Sequence, residues 1–216
     1  MKSIKRLMKW SGFFIAALAL SAAHSSSGTE GAQQSVVDGA VTALTELSSA
    51  PEFKKHINQA RGLLIVPSVM KSGGGNGVML SRVSGSRKWS YPAFYSVSSS
   101  SYGLQANKSG NAIVLMIMND NAMDILLSGT ARAGKEVSIA AGSAADAGVD
   151  VLQFPVMSMA EPDSLTVTGA TISVLKKWNQ EYYGRMVSVT DILVDHQVQI
   201  AGADSLRRAV AGTLSR

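Results

Sequence analysis

Three histidines, a run of serines, a run of glycines and a set of cations beside aromatic rings are the residues of this chain that could do chemistry. His24, His56 and His196 are scattered: no two have the i, i+4 spacing that puts metal ligands on one helix face, and there is no HExxH. They read as solvated or capping side chains. Ser98 to Ser101 lack the GxSxG turn that exposes a nucleophilic hydroxyl, so they read as a strand edge or loop. Gly73-Gly74-Gly75-Asn76-Gly77 invites comparison with a phosphate loop. Such a loop ends in Gly-Lys-Ser/Thr and enters a helix, whereas this one enters the strand-like Val78-Met79-Leu80. The run therefore predicts a wide or bulged hairpin turn with glycines at positive φ. Its exposed amides, with Lys71, could receive an anionic group.

The cations are more suggestive. Lys54, Lys55, Arg61, Lys71, Arg82, Arg87 and Lys88 bracket apolar runs, and Trp89, Tyr91, Phe94 and Tyr95 follow closely. Trp and Tyr join an apolar ring to a polar tip and suit a membrane interface, while Lys and Arg reach lipid phosphates. If these residues share a face, Arg61, Lys71, Arg82 and Lys88 would meet phosphate while Trp89 and Tyr95 enter the interface. The competing interpretation is that Trp89, Tyr91, Ala93 and Tyr95 alternate along a strand and fill a core. Met116, Met118, Met123, Met157 and Met159 add soft apolar side chains that serve an irregular ligand or a core equally well.

The elements that must position these groups follow from periodicity. Val37, Ala40, Val41, Leu44 and Leu47 predict a helix over 36–49, and Pro51 opens a second that turns Phe53, Ile57 and Ala60 inward and Lys54, Lys55 and His56 outward. Short apolar runs at 63–69, 78–83, 89–97, 102–107 and 112–118, separated by Gly, Ser and Asn, predict an antiparallel meander. Asn119-Asp120 starts a short helix that stops at Gly129. Further strands are expected at 136–141, 149–159 and 165–175. Ser188 and Asp191 have capping-box spacing, and Asp204 or Ser205 would cap a last helix with Leu206, Val210 and Leu214 inside and Arg207 and Arg208 near its exposed side. The fold class is α+β: a twisted antiparallel sheet, barrel-like in outline, flanked by N- and C-terminal helices.

Residues 1–23 read as a cleavable signal peptide: basic Lys2, Lys5, Arg6 and Lys9, an apolar run from Phe13 to Leu20, then Ser21-Ala22-Ala23. The apolar run is shorter than the roughly 20 residues of a spanning helix. Residues 24–35 would form a flexible lead-in and 36–216 a single domain. The chain has 20 Lys and Arg against 15 Asp and Glu, and four of those cations lie in the leader. Without it, the near-balance argues against a nucleic-acid protein, which keeps a concentrated basic face. There are no cysteines, hence no disulfide, thiolate metal site or lipobox.

One stretch carries a family likeness. Ala60-Arg61-Gly62, Leu63 to Val66, Pro67-Ser68-Val69, Lys71 and glycines 73, 74, 75 and 77 are followed by Trp89-Ser90, Pro92-Ala93-Phe94-Tyr95, Gly103-Leu104-Gln105 and Ile113 to Asn119. In this order they resemble the SYLF domain. Val137 to Gly142, Tyr182-Tyr183-Gly184-Arg185 and Asp191-Ile192-Leu193 extend the likeness, while Ser158 to Leu165 replace the glycine- and aromatic-rich turn of family members. The resemblance implies a non-enzymatic protein that binds membrane lipids without a cofactor. Some eukaryotic relatives bind phosphoinositides or actin filaments. Together with the leader, it points to a periplasmic phospholipid-binding protein of the cell envelope, acting at a membrane surface or holding acyl chains between sheet and helices. The alternative is an envelope structural or protein-interaction module without a lipid ligand; a hydrolase assembled only in three dimensions is a further rival.

Overall fold

Leu63-Leu64-Ile65-Val66 places four apolar side chains in a row, and in a strand successive side chains face opposite sides. Such a run is stable only where both sides of the sheet are covered. The computed structural model, which describes residues 27–70, 74–98, 111–142, 148–156, 167 and 169–214, shows that arrangement. Leu63 and Ile65 join a core with Val78, Leu80, Phe94, Val114 and Met116 on one face. Leu64 and Val66 join Met79, Tyr95, Ile113, Leu115 and Ile117 on the other. Each side chain of this size contributes about 1.5–3 kcal/mol on full burial, so the alternation fixes the strand's register. The leader expected at 1–23, Lys71, the strand expected at 102–107 and the replaced turn at 158–165 lie outside the described residues.

The sheet has eight strands: β1 (Gly62–Val69), β2 (Gly74–Ser81), β3 (Ala93–Ser98), β4 (Asn111–Ile117), β5 (Thr130–Arg132), β6 (Ile139–Ala141), β7 (Val151–Val156) and β8 (Thr171–Val174). Their spatial order is β5-β8-β3-β2-β1-β4-β7-β6. The sheet curls strongly into a half-barrel, so the α+β, barrel-like expectation holds. Its meander is limited to β1, β2 and β3. The chain then crosses to β4 on the far side of β1, and β6 pairs with β7 in parallel, so the sheet is mixed rather than wholly antiparallel.

The glycine run forms part of this curvature. Gly74, Gly75 and Gly77 are residues of β2, paired with Ser98, Val97 and Tyr95 of β3. None has a positive φ. A Cβ on Gly75 would stand 2.5 Å from the Ser68 carbonyl oxygen, and one on Gly77 2.5 Å from that of Ile65. These glycines let β2 lie close against β1. The expected amide-lined turn is therefore corrected for residues 74–77, which belong to the sheet ladder.

Four helices cover one face: α1 (Ser27–Leu47), α2 (Pro51–Ile57), α4 (Lys176–Tyr183) and α6 (Asp204–Thr213). Val37, Ala40, Leu44 and Leu47 of α1 and Leu206 and Val210 of α6 are buried there. At Gly39 a Cβ would come within 2.7 Å of the Pro67 side chain, so the glycine sets how closely α1 approaches β1. α1 begins nine residues before its expected start at 36, within the stretch read as a flexible lead-in. The cause is tertiary: Gln33 is fully buried and its amide nitrogen donates to the Trp178 carbonyl (3.2 Å) and to Glu181 (3.1 Å), while Gln34 donates to the Gly202 carbonyl (3.0 Å). The other face is covered by α3 (Asp120–Leu127) and α5 (Val189–Leu193), through Ala122, Met123, Leu126, Ile192 and Leu193. Asn119 caps α3 by accepting from the Ala122 amide at 2.9 Å, and Ser188 and Asp191 form the expected capping box on α5. Among the described residues no helix is long and apolar enough to cross a membrane.

Candidate functional site

Beyond β2 the chain makes a short hairpin whose backbone is closed by Val83 N–H to the Lys88 carbonyl (2.9 Å), with Gly85 at a φ of 69°. This turn leaves Arg87 and Lys88 exposed at its tip and returns Trp89 to the core, where it is 2% exposed. α6 lies beside it. Burial of Leu206, Val210 and Thr213 on its inner side leaves Arg207 and Arg208 on the side facing the hairpin. Arg207 joins the two elements. Its Nε donates to the Trp89 carbonyl at 3.0 Å, its guanidinium stacks 4.1 Å from the centre of the Tyr91 ring, and its Nη1 is 3.8 Å from Asp204. The Tyr91 hydroxyl donates to the same carboxylate at 3.0 Å; burial, then that bond, raises its pKa above the usual tyrosine value.

The result is a groove of about 300 Å³ lined by Arg87, Lys88, Trp89, Asp204, Arg207, Arg208 and Ala211. Four cations surround it against one carboxylate, which Tyr91 and Arg207 already engage. Arg87, Lys88 and Arg208 have no ion-pair partner among the described residues. An arrangement of exposed cations around a groove attracts an anion of similar width.

The six residues singled out from the sequence fall in different places. Lys88, which is exposed, and Trp89, whose side chain is buried, are both among the residues lining the groove. Arg82 sits behind Trp89, its guanidinium carbon 5.1 Å from the ring centre, and donates to the Ala60 carbonyl (2.9 Å) and the Ile57 carbonyl (2.6 Å). It closes the end of α2, and burial, then Arg61, lowers its pKa. Arg61 pairs with Asp120 at 3.2 Å, tying β1 to the start of α3. Tyr95 is fully buried on the opposite face, its hydroxyl donating to the Leu126 carbonyl at 3.2 Å, and burial raises its pKa. Trp89 and Tyr95 therefore stand in different cores, and the expectation that both enter a membrane interface is corrected. Lys71 is outside the described residues. Sequence reading missed Asp204, Arg207 and Arg208 as members of the site, while Tyr91 stood among the aromatic residues it grouped with the cations. The only signal was a pair of arginines on the exposed side of the last helix, 118 positions from Trp89 in the case of Arg207.

A second, larger cleft of about 490 Å³ opens between α3, β8, α4 and α5, lined among others by Gly129, Lys176, Asn179, Met186, Ser188 and Asp191. Three of its polar side chains, Asn179, Ser188 and Asp191, are engaged within the fold. Asn179 accepts from the Phe94 amide at 2.7 Å, and Asp191 accepts from the Ser188 amide (2.7 Å) and hydroxyl (2.8 Å). Those bonds hold the Asp191 carboxyl below its ordinary range. His56 and His196, the two described histidines, form no constellation. His56, expected outward, is buried at 9% exposure, and His196 lies at a φ of 53° after α5. Among the described residues no group of three metal-ligating side chains forms, and no hydrogen bond joins a serine hydroxyl to His56 or His196.

Comparison with known proteins gives one family. The model described as Ysc84, Las17-binding protein actin regulator, matches residues 98–213. No curated protein matches the chain.

Proposed function

Because this chain belongs to the Ysc84 (SYLF) family, we propose that it is a non-enzymatic phospholipid-binding protein of the cell envelope, peripheral to a membrane and holding anionic head groups in the groove beside α6. The observation that carries the reading is the convergence on one groove of Arg87, Lys88 and Arg208, none with an ion-pair partner among the described residues. Both faces of the sheet are filled by side chains, which favours head-group binding at the surface over acyl chains held inside. The leader at 1–23 would deliver the protein across the inner membrane into the periplasm. With the leader removed, cations and carboxylates nearly balance, so attraction is local to the groove and falls steeply with salt.

The test is flotation of the protein with vesicles of phosphatidylcholine alone or mixed with phosphatidylglycerol, at low and high salt. Retention on the anionic vesicles that fades with salt, and is lost in Arg87→Glu/Arg208→Glu, is the expected result. Equal retention of that double variant removes the groove from the reading. The family description, which names binding to a protein, supports a second reading as a protein-interaction module. A stoichiometric envelope partner captured without any vesicle retention would put that reading first.

A further inference from the structure

We propose that Arg207 is the anchor on which the groove holds its anion, and that the Asp204 carboxylate beside it is a built-in competitor restrained by the Tyr91 hydroxyl. This rests on the phospholipid reading of the groove and specifies which group grips the phosphate. Arg87, Lys88 and Arg208 are exposed on long stems, so each gives up side-chain freedom when it closes on a ligand. Arg207 has already given it up on folding. Its side chain is 31% exposed, its Nε donates to the Trp89 carbonyl at 3.0 Å, and its guanidinium carbon lies 4.1 Å from the centre of the Tyr91 ring. Arg207, Trp89 and Asp204 all line the groove, and the guanidinium reaches from the backbone carbonyl of Trp89 to the carboxylate of Asp204. A cation held in this way needs little reorganisation to bind.

The guanidinium is fixed but not used up. It carries several N–H donors, and the Trp89 carbonyl takes the one on Nε. Nη1 stands 3.8 Å from Asp204 Oδ1, close enough for an ion pair but beyond hydrogen-bond length. Arginine and a free carboxylate ordinarily close to a two-bond fork at about 2.7–2.9 Å. Here the same Oδ1 accepts from the Tyr91 hydroxyl at 3.0 Å, and that bond draws the carboxylate off the guanidinium. The planar donors left open match two oxygens of a phosphate ester, and Arg87, Lys88 and Arg208 add charge around them. Phosphate thus displaces a carboxylate that is already half released. A lipid head group and a free phosphate ester share this chemistry.

The deciding experiment measures retention on mixed phosphatidylglycerol and phosphatidylcholine vesicles for the unaltered protein and a set of variants, each first checked for folding by urea denaturation. Arg207→Lys keeps the charge but loses the fork, and should weaken retention about tenfold, the size of one hydrogen bond to a charged group. Asp204→Asn removes the competitor and should tighten retention several-fold. Asp124→Asn makes the same charge change on α3, which covers the opposite face of the sheet, and should leave retention within about twofold. Tyr91→Phe keeps the stacked ring but frees the carboxylate to close on Arg207. It should weaken retention, and adding Asp204→Asn should remove that loss, whereas a packing role of Tyr91 alone would leave the loss in place. If Arg207→Lys does not fold, the Asp204 and Tyr91 variants decide. Retention that is unchanged in Arg207→Lys, or that rises equally in Asp204→Asn and Asp124→Asn, overturns the proposal even where the unaltered protein holds to the vesicles. If no vesicle retains the unaltered protein, the lipid reading falls and calorimetric titration of the same variants with glycerol 3-phosphate decides. The same order of affinities then assigns the anchor to a soluble phosphate ester, and absence of binding overturns it.

Discussion

At the groove beside α6, Arg87, Lys88 and Arg208 extend their charges into solvent with no ion-pair partner among the described residues; at the cleft between α3, α4 and α5, Asn179, Ser188 and Asp191 spend their hydrogen bonds on the fold. The cleft is the larger space, yet Asn179, Ser188 and Asp191 within it are satisfied by the fold. Exposed cations stay hydrated and their mutual repulsion slightly opposes folding, so a cluster of them without ion-pair partners among the described residues favours an anionic ligand over a role in the fold. Size alone would have selected the cleft instead of the groove. The same contrast runs within the cations of the basic end: Arg82 and Arg61 are committed to the fold, while their neighbours are not.

The sharpest way to break this contrast is Arg82→Ala. If Arg82 is a clamp, its loss leaves the Ile57 and Ala60 carbonyls without their guanidinium donor and removes the cation stacked on Trp89. Charge-assisted bonds of this kind predict a loss of roughly 2–3 kcal/mol in urea denaturation. Arg87→Ala and Arg208→Ala should change stability by less than about 0.5 kcal/mol, as exposed unpaired side chains do. Equal effects at all three positions would erase the distinction between fold cations and site cations.

That distinction was only partly legible in the sequence. The Leu63 to Val66 run, the Asn119 cap and the Ser188–Asp191 box could be read because each depends on neighbours a few residues away. The glycine run misled because a glycine needed for strand approach and one needed for a turn look alike until the partner strand is placed. α4 was missed because Lys176-Lys177 opens it without an apolar stripe or a capping side chain; its position is set by Trp178 and Tyr182 packing on Phe94, at 5.8 and 4.9 Å between ring centres. α1 reaches back to Ser27 through bonds from Gln33 to α4, which local composition cannot show. The groove was half visible. Lys88 and Trp89 stood out among nearby aromatics, but Arg207 meets them only after the last helix docks.

A second, smaller effect tests the cleft side. Asp191 is held below its ordinary pKa first by the Ser188 amide and then by the Ser188 hydroxyl. A carboxylate depressed by folding adds stability above its unfolded pKa and loses it as pH falls through the folded value. The urea midpoint should therefore drop on acidification below the ordinary carboxylate range, and Asp191→Asn should flatten that part of the profile. Vesicle retention of the variant at neutral pH should match the unaltered protein. A binding defect there would show that the capping box also serves a ligand.

The smallest expected effect is the most discriminating for function. Lys176 is an exposed cation at the mouth of the larger cleft, near Met186, which is 78% exposed. If charge anywhere on the surface were enough to hold the protein on anionic vesicles, Lys176→Glu would weaken retention about as much as Arg208→Glu, since each changes net charge by the same amount. If binding is local, screening over about 8–10 Å at moderate salt confines each cation's influence to its own surroundings. Lys176→Glu should then leave retention within about twofold while Arg208→Glu reduces it several-fold. Equal losses would mean that the protein is drawn to membranes by its overall charge, and that the unpaired cations beside Trp89 form no site of their own.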